Sequence, residues 1–208
     1  MVTLPTLIIL ADCAPGPSSL AHDELETETS LHFDPIDVTV RRAMDSGLPL
    51  RFVGPTLLAR RARAMLHEAQ VTELSEEGPE GTGLARTISA GVLASAQAPG
   101  WLLLPADMPM LRADTLSILG LALREHPLVF PTYRQQSGHP VGLSTEFFSE
   151  LIRLEHDQGL DRLMARYPSV AIEVDDPGVL LSAAQQGATY RGAPTNLGGM
   201  TQARRPMR

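Results

Sequence analysis

The feature that most constrains this chain is an alternation. Short, largely apolar runs recur at residues 6–11, 101–105, 128–133 and 141–143, strand-like segments interrupted by one charged residue lie at 50–53 (Arg51) and 170–174 (Glu173), and segments with apolar residues at helical spacing lie between most of them. Runs with no polar alternation suit strands buried on both faces, and intervening helices supply the crossovers of a parallel sheet. The expected architecture is therefore α/β: three layers, Rossmann-like, with a mostly parallel central sheet covered by helices on both faces.

Local signals mark the helices. Asp34-Pro35-Ile36-Asp37 reads as a helix start, with Asp34 at the N-cap and Pro35 at the first helical position, and Gly47 as its stop. Leu58, Ala62, Met65 and Ala69 predict one continuous second helix. Thr82 is expected to open a third that runs to about Gln97, and Asp114 to cap a fourth that runs to Glu125. Further helical segments are expected over 147–154 and 160–166. The loop 76–81 is acidic and glycine-rich and reads as mobile, and the Gly-, Pro- and Arg-containing stretch 191–208 reads as a disordered basic tail behind a single domain over 1–190.

Composition removes several classes of function. A formal net charge of −7 argues against nonspecific nucleic-acid binding, which needs a basic face. One cysteine allows no internal disulfide. Leu10-Ala11-Asp12-Cys13 looks superficially like a lipoprotein signal end, but no Lys or Arg precedes it and Asp12 sits where a small neutral residue belongs. The expectation is a cytoplasmic protein with no membrane segment.

The apolar run at 101–105 ends in Pro105-Ala106-Asp107-Met108-Pro109. In open α/β sheets ligands bind beyond the carboxyl ends of the strands, so Asp107 falls where chemistry occurs. A carboxylate there can hold Mg²⁺, which takes oxygen ligands and shares them with substrate phosphates. It can equally cap the following turn.

The block Gly83-Leu84-Ala85-Arg86-Thr87-Ile88-Ser89-Ala90-Gly91, then Pro105 to Pro109, then Pro131-Thr132-Tyr133, Gly138-His139-Pro140-Val141 and Asp175-Asp176-Pro177-Gly178, resembles the MobA-like nucleotidyltransferases. It is most similar to their molybdenum cofactor cytidylyltransferase branch. The resemblance implies a nucleotidyltransferase fold. It also implies transfer of a CMP or GMP unit from CTP or GTP to a molybdopterin-type phosphate, with Mg²⁺ held by Asp107 and pyrophosphate released. A molybdoenzyme is the protein partner it suggests. Alignment and charge neutralisation carry most of such a transfer, so Asp107 is expected to hold the metal rather than act as a base.

The first half departs from that pattern. Family members follow the first strand with a glycine-rich loop and a lysine that grip the triphosphate. Here Leu10 and Ala11 head the corresponding stretch, which continues through Asp12, Cys13, Ala14, Pro15, Gly16 and Pro17, and no basic residue precedes Arg41. The chain has no lysine; all 17 of its basic residues are arginines. Seven acids lie between residues 1 and 40, and two like charges 4 Å apart at an effective dielectric near 20 repel by about 4 kcal/mol. Pro15 and Pro17 also remove two N–H donors.

The remaining candidates each carry two readings. Asp176 is a second metal-facing carboxylate or a turn cap. His139 contacts the acceptor or belongs to a Gly-His-Pro turn. Gly83, Arg86 and Thr87, around a helix start, and Arg134 are candidates to meet nucleotide or acceptor phosphate, or are ordinary helix and surface residues. Two functions stand side by side: a divergent nucleotidyltransferase, and a catalytically inactive relative that serves as a binding or maturation factor for molybdoenzymes.

Overall fold

The computed structural model describes residues 3–11, 34–75 and 83–183. The expectations for the loop after Ala11, for 76–81 and for the tail lie outside these residues. Eight strands form one sheet: β1 Thr6–Leu10, β2 Leu50–Pro55, β3 Val71–Leu74, β4 Gly100–Pro105, β5 Leu128–Tyr133, β6 Gln136–Ser137, β7 Val141–Ser144 and β8 Val170–Glu173. Their order is β3-β2-β1-β4-β7-β5-β6, and β8 pairs with β5. The pairings β1–β2, β1–β4, β2–β3 and β5–β8 are parallel, whereas β7 runs antiparallel to both β4 and β5. With β7 inverted, β5 and β8 point the same way as β1 to β4, so the sheet is mixed but mostly parallel.

Every residue of β1 is buried, which is why it reads as an unbroken apolar run. Alternate side chains separate into two cores. Leu7, Ile9, Phe52, Leu102 and Leu104 pack with Val40 and Ala43 of α1 (Pro35–Asp45), Ala59 and Ala62 of α2 (Thr56–Ala62), and Leu116 and Leu119 of α4 (Ala113–Ala122). Ile8, Leu10, Val53, Trp101 and Leu103 pack with Ile88 and Val92 of α3 (Leu84–Ala94), Leu151 of α5 (Phe148–Leu151), and Leu160 and Leu163 of α6 (Gly159–Arg166). These are the three expected layers. Among the described residues no helix is long and apolar enough to cross a membrane.

The first helix starts as its sequence predicts: Pro35 occupies the first turn and Asp34 Oδ1 accepts from Ile36 N–H at 2.9 Å. Elsewhere tertiary demands revise the boundaries. The second helix ends at Ala62 rather than continuing to Ala69, because the chain must turn back to bring Val71 beside Phe52. His67 nucleates that return, its Nδ1 accepting from Ala69 N–H at 3.2 Å. The result is β3, a four-residue edge strand that sequence reasoning missed along with the two-residue β6. Helix α3 spans 84–94 with Gly83 at its N-cap, and helix α4 has Arg112, not Asp114, at its N-cap. The segment expected as one helix over 147–154 is a 3₁₀ turn at Thr145–Phe147 followed by the single-turn α5.

Parallel direction places the last residues of β1, β2, β3, β4, β5 and β8 on one edge of the sheet. The antiparallel β7 adds its first residues to that edge, since Val141 pairs with Leu103. Ala11, Asp107, Arg134, Asp175 and His139 are therefore gathered from separate parts of the chain. Helix α3 lies directly on the strands leading there: a Cβ at Gly91 would stand 2.7 Å from Ile8 Cγ2 and 3.1 Å from Val53 Cγ2. Gly91→Ala is expected to destabilise the fold by about 1–2 kcal/mol despite the better helix propensity of alanine, because overpacking outweighs it. Urea unfolding checks this, and an unchanged or raised midpoint contradicts it.

Candidate active site

Asp107 lies two residues beyond β4, half-buried in the turn that Pro109 stiffens. The strand ends by crossing to β1, where Ala106 N–H donates to Leu10 carbonyl at 3.0 Å. Leu10 and Ala11 are themselves buried, and Ala11 N–H donates to Val53 carbonyl at 2.9 Å. They present backbone alone to the edge. On the other side of Asp107, Ser182 Oγ donates to its Oδ2, and Ala183 N–H donates to its carbonyl oxygen at 2.7 Å. Seventy-five residues separate Ser182 from Asp107, and no local signal could have joined them.

The segment that delivers Ser182 is anchored by Asp176. This carboxylate is only 2% exposed, and its Oδ2 accepts from Arg112 N–H at 2.9 Å and Thr115 Oγ1 at 2.6 Å, while Oδ1 accepts from Gly178 N–H at 2.9 Å. Both oxygens are engaged by protein donors, so the structure assigns Asp176 to the capping alternative and not to a metal-facing position. Gly178 then lies so close to the Met110 carbonyl that a Cβ has no room, and Gly138 lies equally close to Val179. His139 N–H donates to Val179 carbonyl at 2.9 Å. The Asp-Asp-Pro-Gly corner thus ties the Asp107 turn to the Gly-His-Pro turn.

His139 keeps solvent access, and its peptide bond to Pro140 is cis. Protein packed around the ring desolvates the imidazolium and lowers its pKa, an effect that the negative fields of Asp107 and Asp161 oppose. His139 therefore lies within the electrostatic reach of Asp107 at the carboxyl edge.

The helix-start candidates behave differently. Asp157, in the connection before α6, occupies the N-terminus of α3: its Oδ1 accepts from Ala85 N–H at 3.1 Å, and a Cβ at Gly83 would stand 2.8 Å from that oxygen. A carboxylate is favoured there for the same reasons a phosphate would be. Thr87 is fully buried and donates its hydroxyl to Gly83 carbonyl at 3.1 Å, so it is a helix residue without access to a ligand. Arg86 donates to Ser75 carbonyl at 3.2 Å. Arg134 is exposed at the tip of the β5–β6 hairpin, its backbone N–H donating to Glu173 Oε1 at 3.1 Å. Asp107, His139 and Arg134 share the edge; Asp176 and Thr87 are structural; Gly83 and Arg86 flank a helix end already holding a carboxylate.

Among the described residues no three His, Cys, Asp or Glu side chains converge as a metal cage. One half-buried carboxylate fits Mg²⁺, which commonly takes one or two protein carboxylates and completes its shell with substrate phosphate and water. The donor set does not fit a metal held by protein ligands alone.

Comparison with known proteins adds the decisive observation. The family model described as the MobA-like NTP transferase domain matches residues 36–171, more than half of the chain. The chain belongs to this family. The MobA-like match begins at α1, so β1 and the stretch after it fall outside the matched residues. A search of curated proteins finds no match. Among solved structures, Rv0371c from Mycobacterium tuberculosis H37Rv superposes with a TM-score of 0.66 at 20% identity, covering 88% of this chain and 94% of that one. The Rv0371c complex with manganese gives 0.60 at 22% identity, covering 84% and 89%. A nucleotidyl transferase from Methanothermobacter thermautotroptrophicus gives 0.60 at 16% identity, covering 86% and 92%. These likenesses show that the chain shares with them its α/β fold with a mixed central sheet.

The anchoring role of Asp176 separates it sharply from its neighbour. Asp176→Ala leaves three donors without their acceptor in a dry site and is expected to cost about 2–4 kcal/mol. Asp175 is exposed, and Asp175→Ala is expected to change stability by less than about 0.5 kcal/mol. Chemical denaturation of the two variants compares them directly; equal stabilities would remove the anchor from the account.

Proposed function

We propose that this MobA-like protein transfers a nucleoside monophosphate, CMP or GMP, from CTP or GTP to a phosphorylated small-molecule acceptor of the molybdopterin type. The observation that carries the reading is Asp107: a half-buried carboxylate at the centre of the carboxyl edge, oriented by Ser182 and backed by a turn that cannot shift while Gly178 packs on Met110. Asp107 would hold Mg²⁺ through an oxygen. The ion supplies charge neutralisation for the triphosphate, which this acidic chain otherwise repels.

The chain's own residues set the rest. The Leu10 and Ala11 backbone forms the floor beside Asp107. His139 lines the acceptor side and offers a ring nitrogen for one hydrogen bond there. No side chain is needed to remove a proton, because an acceptor phosphate is already ionised at neutral pH.

One observation favours a second reading, that of a relative that binds without catalysing. The Asp157 carboxylate already fills the α3 N-terminus, where a nucleotide phosphate could otherwise be received. Substituting Asp157→Ser keeps a capping oxygen and removes the charge. Under the transferase reading it leaves the Mg²⁺-dependent affinity for nucleotide unchanged or raises it.

Calorimetric titration with CTP and with GTP tests the proposal. Either nucleotide is expected to bind at or below millimolar concentration with Mg²⁺, Mg²⁺ alone to bind far more weakly, and Asp107→Ala to lower nucleotide affinity at least tenfold, about 1.4 kcal/mol. If neither nucleotide binds at millimolar concentration, the transferase reading fails.

A further inference from the structure

The carboxyl edge carries a strained element that the nucleotide reading does not use. Strands β5 and β6 pair Tyr133 with Gln136, leaving Arg134 and Gln135 as a two-residue hairpin loop. Their φ angles are 48° and 67°. Positive φ at both central positions is the type I′ turn, which Asn-Gly fills with little penalty and which sets the Cβ of other L-residues against their own backbone. An arginine and a glutamine are nevertheless held there.

Glu173 of β8 does the holding. Its Oε2 accepts from Thr132 Oγ1 at 2.7 Å and its Oε1 from the Arg134 backbone N–H at 3.1 Å. The carboxylate engages the backbone of Arg134 and leaves the guanidinium to project, 5.2 Å from the Tyr133 ring centroid. That guanidinium enters no salt bridge among the described residues. Across the sheet the edge runs from Ala11 just after β1 through Asp107 beyond β4 and His139 just before β7 to this hairpin after β5, so the hairpin lies on the far side of Asp107 from β1.

The geometry points to the Arg134–Gln135 hairpin as the element that reads the acceptor, taking a small-molecule phosphate monoester. Arg134 supplies a forked cation for the phosphate, and the Gln135 amide offers a donor and an acceptor to a neighbouring polar group. Both side chains are needed at a place where Asn-Gly would relax the backbone but bind nothing. Glu173 acts as a positioning residue, because it fixes the backbone from which Arg134 projects. This inference rests on the transferase reading for the identity of the bound group as acceptor.

The test uses phenyl phosphate as the phosphate monoester, phenol as its uncharged counterpart, and the full chain in four forms. Arg134→Gln removes the charge while retaining a side chain at positive φ. The double variant Arg134→Asn, Gln135→Gly relaxes the turn and removes both groups. Arg166→Gln is the control, since Arg166 also stacks on a tyrosine, 5.5 Å from the Tyr167 ring, but at the end of α6 that leads into β8. Phenyl phosphate is expected to bind the natural chain in the millimolar range and to shift the backbone amide resonances of residues 133–136. Its affinity should fall fivefold or more in both hairpin variants and stay unchanged in Arg166→Gln. The Tm of the double variant should rise by about 2–4 °C. The inference is overturned if phenyl phosphate does not bind, if phenol shifts the same amides equally, if the hairpin variants bind as well as the natural chain, or if the double variant is no more stable. Nucleotide titration separates the two readings. Failure of CTP and GTP to bind while phenyl phosphate still depends on Arg134 removes the transferase reading and leaves a phosphate-reading hairpin. Nucleotide binding with no role for Arg134 removes the hairpin inference alone.

Discussion

Asp176 sits almost dry between β8 and α4, and its two carboxylate oxygens take hydrogen bonds from Arg112 N–H, Thr115 hydroxyl and Gly178 N–H. Burying a charge is tolerable only when such donors replace water, so the three must be held in register with it. That requirement joins segments more than sixty residues apart in sequence. Arg112 is the N-cap of α4 but offers no capping side chain, and the distant carboxylate supplies negative charge at that helix start instead. Once Asp176 is fixed, Gly178 packs on the Met110 carbonyl, Val179 receives His139 N–H, and the chain runs on to place Ser182 on Asp107. The geometry around Asp107 thus descends from one buried carboxylate whose oxygens are taken up by protein donors.

The sheet supplies the frame for this arrangement, and the inverted β7 gives it its particular form. An all-parallel sheet would bring only strand ends to the carboxyl edge. Inserting β7 between β4 and β5 adds a strand beginning, and with it His139, next to Asp107. The electrostatics of the edge are dominated by acids: Asp107, Asp157, Asp161 and Glu173 all contribute carboxylates to it or beside it. Asp157 is committed to the α3 N-terminus, Glu173 to the hairpin backbone, and Asp107 accepts from Ser182.

Much of the frame was legible from the sequence. The largely apolar runs identified six of the eight strands among the described residues; the central ones are buried on both faces, which removes the polar alternation that would disguise them, whereas β8 alternates intermediate and exposed residues. The short strands β3 and β6 were not legible: β3 reads Val-Thr-Glu-Leu, half exposed and tied by Glu73 to Arg63 at 2.8 Å, and its period resembles the end of the preceding helix. The same confusion lengthened α2 on paper to Ala69. The position of Asp107 just beyond β4 was legible, since the apolar run stops at Pro105. Thr87 and Asp176 sat in the right motifs for structural reasons, one as a buried helix hydroxyl and the other as an anchor.

What the sequence by itself determined is the set of buried strands, the layering of helices over them, and the position of Asp107 at a strand end. These follow from local patterns of apolar side chains, which act over a few residues and can be read there. Tertiary structure alone decided which carboxylate is anchored and which faces the cleft, that Asp157 fills a helix terminus, and that Arg134 stands in a strained turn braced by Glu173. Hydrogen bonds and like-charge avoidance act over a few ångströms in space, and the residues they join here lie 39 to 75 positions apart in the chain.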